Sequence, residues 1–161
     1  MTETNIRSLD KTISVSREWL KDVQRSLKLK NEQDAYVALR SVLHVLRDRL
    51  TPEEAVDLGA QLPLLLRGVY YEGWSLAKKP QKTRSQKKFL SKVMQALPPR
   101  IELLEKVDTQ GIVKGVFGVL EKRVSEGEIE NIKAVLPKGF SSLWPSEKRE
   151  GDFEASDLEL W

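Results

Sequence analysis

An all-α fold, a helical bundle built from two similar multi-helix units, follows from three features of the sequence. Apolar residues recur at three- and four-residue spacings along nearly the whole chain. Prolines and Ser/Thr-x-x-Glu capping patterns punctuate those stripes at helix-length intervals. A long central segment matches a later one at a constant offset, without gaps.

The first stripe is Leu9, Ile13, Ser16, Leu20, Val23 and Leu27, which places these residues on one helix face with Trp19 at its edge. Asp10 is the expected cap near its start. Lys30 and Asn31 mark a break. Ala35, Leu39, Val42, Leu46 and Leu50, flanked by Tyr36, Leu43 and Val45, form the second stripe; Arg40, His44, Arg47 and Asp48 fall on its polar side. Thr51 and Glu54 have capping-box spacing with Pro52 at the first helical position, and this helix should run to about Gln61. Pro63 breaks the chain, and a further helix continues to about Tyr71 with Leu65, Leu66, Val69 and Tyr70. Gly73 and a basic segment form a long connection. From Ser85 onward, Phe89, Leu90, Val93, Met94 and Leu97 make a short stripe closed by Pro98 and Pro99. Ile101, Leu103, Leu104 and Val107 make another. A third carries Ile112, Val113, Val116, Phe117, Val119, Leu120 and Val124. Ser125 and Glu128 repeat the capping box before Ile129, Ile132 and Leu136, and Pro137 interrupts ahead of Phe140, Leu143 and Trp144.

The self-similarity can be counted. Val37–Tyr71 laid on Gly111–Pro145, an offset of 74, gives eight identities in 35 positions: Val42/Val116, Val45/Val119, Leu46/Leu120, Arg49/Arg123, Glu54/Glu128, Ala60/Ala134, Leu62/Leu136 and Pro63/Pro137. Unrelated segments of this composition would share roughly two or three. Stripe, cap and breaker positions are the ones that match, which predicts an internal duplication of one helical unit, packed face to face about a pseudo-twofold seam. The expected organisation is one helical domain over 1–146, with repeat 1 at about 9–76, repeat 2 at about 85–146 and a basic connector at 77–88. The net-acidic segment 147–161, low in apolar residues, reads as a disordered tail.

The run Ala38–Leu50, then Thr51-Pro52-Glu53-Glu54-Ala55, Ala60-Gln61-Leu62-Pro63 and Arg67-Gly68-Val69-Tyr70-Tyr71-Glu72-Gly73-Trp74, resembles a bacterial family called domain of unknown function 2267. Gly127–Asn131, Leu136-Pro137-Lys138 and Leu143-Trp144-Pro145 resemble its second half, so the resemblance spans roughly residues 8–145. It implies a helical, duplicated bacterial protein, often found in stress-response settings, with no catalytic residues to carry over.

Composition narrows the chemistry. The 161 residues (18.4 kDa) include no cysteine, which excludes disulfides, thiolate catalysis and Cys-type metal sites. One histidine rules out a His-rich metal centre within one chain. The Gly-rich phosphate loops, Gly-x-Ser-x-Gly and His-Glu-x-x-His are absent, so the expectation is a non-enzyme needing no cofactor and no metal. No apolar run reaches the length of a membrane span and the N-terminus is polar, which together predict a cytoplasmic protein.

Few candidate sites remain. His44 has no paired nucleophile and is expected on the surface. Glu53, Glu54 and Asp57 lie in the first turns of a helix, where carboxylates serve the cap and the dipole more readily than a metal. Arg49 and Arg123 share a repeat position, suited to helix C-terminal carbonyls or to an anion at the seam. Tyr71 and Trp74 fit either core or interface. With Lys78, Lys79, Lys82 and Arg84 they form the expected surface for a protein partner. The net charge of +3 is too mild to demand nucleic acid, although six cations between Lys78 and Lys88 keep non-specific nucleic-acid binding as the alternative. A small ligand or anion between the repeats is the second alternative. The resulting functional expectation is binding or scaffolding, with the partner unidentified.

Overall fold

A computed structural model describes residues 4–77, 83–99 and 101–146. The predicted tail 147–161 and the connector residues Lys78, Lys79 and Lys82 lie outside the described residues. Among the described residues there are eight α-helices, α1 (Arg7–Leu27), α2 (Glu32–Arg49), α3 (Pro52–Ala60), α4 (Leu64–Tyr71), α5 (Gln86–Ala96), α6 (Ile101–Lys106), α7 (Thr109–Arg123) and α8 (Glu126–Val135), and a 3-10 helix at Lys138–Leu143. The all-α class is as expected.

Local chemistry sets the boundaries. Asn31 accepts from the Asp34 N–H to cap α2, Thr51 from Glu54 to cap α3, Ser85 from Lys88 to cap α5, Asp108 from Gly111 to cap α7 and Ser125 from Glu128 to cap α8. The exception is α1. Ile6 occupies its N-cap without a side-chain bond, and the Asp10 carboxylate instead accepts from Thr4 N–H and Oγ1. At its other end Lys28 takes the left-handed conformation (φ 55°) that usually belongs to glycine.

Helices α2 and α7 form the centre of the bundle. α2 packs against α1, α4, α5 and α7; α7 packs against α1, α2, α5, α8 and the 3-10 helix. Because α2 is surrounded, burial spreads well beyond its predicted stripe to Val37, Ala38, Ser41 and Arg47. The same effect rotates α1. Its buried line is Thr12, Ser16, Trp19, Val23 and Leu27, while Leu9 at the predicted stripe's start is exposed. Trp19, expected at the edge, is in the core because α1 is wedged between α2 and α7 and also touches α4. The close approach of α1 to α7 needs Gly115: a Cβ there would fall inside the Leu27 side chain, and Ser26 Oγ reaches the Gly115 carbonyl at 3.4 Å. Aromatic rings fill the far end, with Phe117 stacked on Trp144 at 4.2 Å and Phe89 at 5.0 Å from Phe140.

An ion cluster joins α1 to α7. The Asp22 carboxylate, 4% exposed, accepts from Arg123 Nε (2.7 Å), Arg25 (2.8 Å) and Lys122 (3.2 Å). Burial alone would raise this carboxyl, but the three cations outweigh it and hold it at about 2.

Pro63 and Pro137 each precede a short helix, yet only the first is α-helical. The reason is local. Pro145 stands at the position of Tyr71, has no N–H to donate and disfavours helical geometry at Trp144. Gly139, Ser141 and Ser142 add little helical propensity.

Candidate surface at the end of helix α4

The C-terminal end of α4 carries Tyr70, Tyr71 and Trp74, and the three divide between core and surface. Tyr70 is fully buried and its hydroxyl donates to the Ala55 carbonyl at 2.6 Å. Burial pushes its ionisation far above the usual range, so the hydroxyl stays a donor. The Tyr71 ring meets Tyr70 edge-on at 5.0 Å and lies 5.6 Å from Trp74. Tyr71 and Trp74 are both half-buried, packed against the core but still reaching solvent. Gly59 makes room for this ladder, because a Cβ there would overlap the Tyr71 hydroxyl. Gly73, at φ 76°, supplies the turn that brings Trp74 back over Tyr71.

Side chains of α2 hold this end in place. His44 Nε2 lies 2.6 Å from the Val69 carbonyl. Arg47 Nη1 donates to Tyr70 O at 2.7 Å and Glu72 O at 2.9 Å, while its Nε pairs with Asp48. Arg40 pairs with Glu72 at 3.1 Å. The orphan carbonyls at a helix terminus are thus satisfied by the neighbouring helix. This corrects two expectations. His44 is half-buried rather than a surface histidine: burial lowers its pKa and keeps the ring neutral, with Nε2–H the donor to Val69. Arg47, assigned to the polar side of α2, is 5% exposed and is the anchor of the α4 terminus. On the opposite side Arg67 donates to the carbonyls of Gly59, Ala60 and Leu62, fixing the α3–α4 corner. Arg67 was not singled out from the sequence, since nothing local distinguishes it from a solvated arginine.

The remaining predicted residues are dispersed. Arg84 is exposed. Arg49 Nε donates to the Thr83 carbonyl, whereas Arg123 is committed to Asp22, so the two equivalent arginines serve different partners rather than one anion. A pocket of about 450 Å³, lined by Lys133, Leu136, Pro137, Phe140 and Trp144, falls wholly within residues 133–144 and not between the two halves.

Exposed apolar side chains lie on α1, α3 and α4, with α4 packed against both of the other two. Leu64 is 56% exposed and Val56 48%; Leu65, Ile6 and Leu9 are exposed too. The Leu65 N–H donates to Thr12 Oγ1, one turn along α1 from Leu9, and Tyr71 Oη approaches the Val56 carbonyl. At the 74-residue offset, Val56 corresponds to Glu130, Leu64 to Lys138 and Leu65 to Gly139, all exposed. The positions are solvent-facing in both halves, but only the first half makes them apolar. No burial requirement accounts for that difference.

Residues 16–143 match the family model DUF2267, described as an uncharacterized conserved protein. No curated protein matches the chain.

Proposed function

The chain belongs to the DUF2267 family, and on that premise we propose that it is a duplicated helical module that acts by binding a protein partner, not by catalysis, in the bacterial cytoplasm.

The duplication is supported by how the elements pair. At the 74-residue offset α1 corresponds to α5, α2 to α7, α3 to α8 and α4 to the 3-10 helix. The exchanged pairs α2 with α7 and α3 with α8 are in contact, as they would be on either side of a twofold axis. Such an axis also requires α1 on α7 to be mirrored by α5 on α2, as is the case. Ser41 and Gly115 occupy equivalent positions. Each is hydrogen-bonded to the first helix of the other half, Ser41 to the Ala96 carbonyl and Gly115 to Ser26, both at 3.4 Å. Among the described residues no helix is long and apolar enough to cross a membrane.

One observation carries the binding function: solvent positions polar in the second half are apolar in the first. Val56 lies beside Tyr71, whose hydroxyl reaches the Val56 carbonyl, Leu64 and Leu65 open the same helix α4, and the half-buried Tyr71 and Trp74 rings are the type of group that anchors protein interfaces. The test exchanges those residues for what the second half already tolerates. The double variant Val56→Glu, Leu64→Lys should keep its unfolding free energy within about 0.5 kcal/mol of wild type, because both sites are solvent-exposed. Tagged protein recovered from host lysate after nuclease treatment should carry a discrete partner that the variant loses. A partner retained by the variant contradicts the assignment. Proteins that vanish with nuclease, and whose recovery falls steeply with salt, point instead to nucleic acid bound through the basic connector.

A further inference from the structure

Helices α3 and α8 meet at their N-terminal turns, where the two capping glutamates face each other instead of closing their own boxes. Thr51 Oγ1 and Ser125 Oγ cap their helices as expected. The return bond is replaced in the second half, where the Ser125 N–H donates to Gln61 Oε1 from across the contact. Glu54 and Glu128, equivalent at the 74-residue offset, are left to approach one another. One carboxylate oxygen from each of Glu54, Asp57 and Glu128 lies within 4.8 Å of the others.

Acidic side chains at helix N-termini are common and explain themselves by the cap and the dipole. Glu128 does not fit that account. It is 8% exposed, its Oε1 is buried with no hydrogen-bond partner, and its carboxylate is one of the three that converge; Glu54 Oε2 is likewise buried and unpartnered. A buried carboxylate oxygen without a donor is costly, and two of them side by side are more so.

We propose that Glu54, Asp57 and Glu128 form a divalent-cation site for a hard, calcium-like ion at the contact between the two halves. The donors are all carboxylate oxygen, which selects hard cations. Calcium tolerates an irregular shell of carboxylates and water, whereas magnesium demands near-ideal octahedral geometry, so the site is assigned to the larger ion. Asp57 is exposed and opens the site to water, which completes the coordination shell and provides the entry path. The position also assigns the ion a role: it ties α3 of one half to α8 of the other.

The test uses the full chain stripped with EDTA. Adding calcium at about a hundredfold excess over its Kd should raise Tm by roughly 5–10 °C, beyond the effect of sodium chloride at equal ionic strength. Titration calorimetry should count one ion per chain. Glu128→Gln removes a ligand and the charge repulsion together, so at pH 7.5 it should be at least as stable as calcium-free wild type yet show no calcium shift. No shift in wild type overturns the proposal and leaves a carboxyl pair that shares a proton. An equal shift in Glu128→Gln overturns it by placing the ion elsewhere on this acidic-tailed chain.

Discussion

Arg47→Met should lower the unfolding free energy by about 3–5 kcal/mol, a Tm loss on the order of 10 °C for a chain of this size. Methionine keeps most of the volume of the arginine stem, so the loss reads out hydrogen bonding rather than a cavity. The guanidinium is buried and is the donor for the carbonyls of Tyr70 and Glu72, with Asp48 as its counter-ion. Removing it strands buried acceptors at about 1–3 kcal/mol each. The damage should centre on the α4 terminus: amide exchange from Val69 to Trp74 should accelerate more than exchange in α7. Urea titration checks the magnitude, and a change under 1 kcal/mol would mean that water replaces Arg47 without cost.

Asp22→Asn should cost about 2 kcal/mol at pH 7, from a carboxylate held at about 2 instead of its usual 3.8. The sign follows from the direction of the shift. A depressed carboxylate stabilises the folded state above its unfolded pKa and loses that contribution as pH falls through the folded value. Wild type and variant should therefore differ by a constant amount above about pH 4 and converge toward pH 2. Urea midpoints across that range check it. Parallel curves down to pH 2 would show that Asp22 acts by packing or by neutral hydrogen bonds alone. The cluster ties Asp22 of α1 to Lys122 and Arg123 of α7, so this variant also weighs how strongly charge holds the two halves together.

The elements were legible in the sequence because their signals are local. Thr51-Pro52, Ser125, Ser85 and the Pro63 and Pro137 breaks act within one turn of themselves, and the helices start where they point. What a helix packs against is not local. The face of α1 is set by α2, α4 and α7 together, which is why Trp19 moved from edge to core and Leu9 from stripe to surface. His44 and Arg47 read as solvated because polar residues beyond an apolar stripe usually are. Only the docking of α4 on α2 shows that they meet helix-end carbonyls. Arg49 and Arg123 match at the 74-residue offset yet part company in the fold, since Asp22 faces only the second. The approach of Glu54 to Glu128 was half visible. The offset makes them equivalent, but their meeting needs α3 against α8.

The partner-binding account rests on the asymmetry between equivalent surface positions, and site-specific photocrosslinking in growing cells tests it most directly. A photoreactive side chain at position 64, and the same side chain at position 138 in a second protein, sample the apolar surface and its exposed polar counterpart at equal expression. The account predicts a discrete protein adduct from position 64 that is absent from position 138. Equal adducts from both positions, or none from position 64, would contradict it.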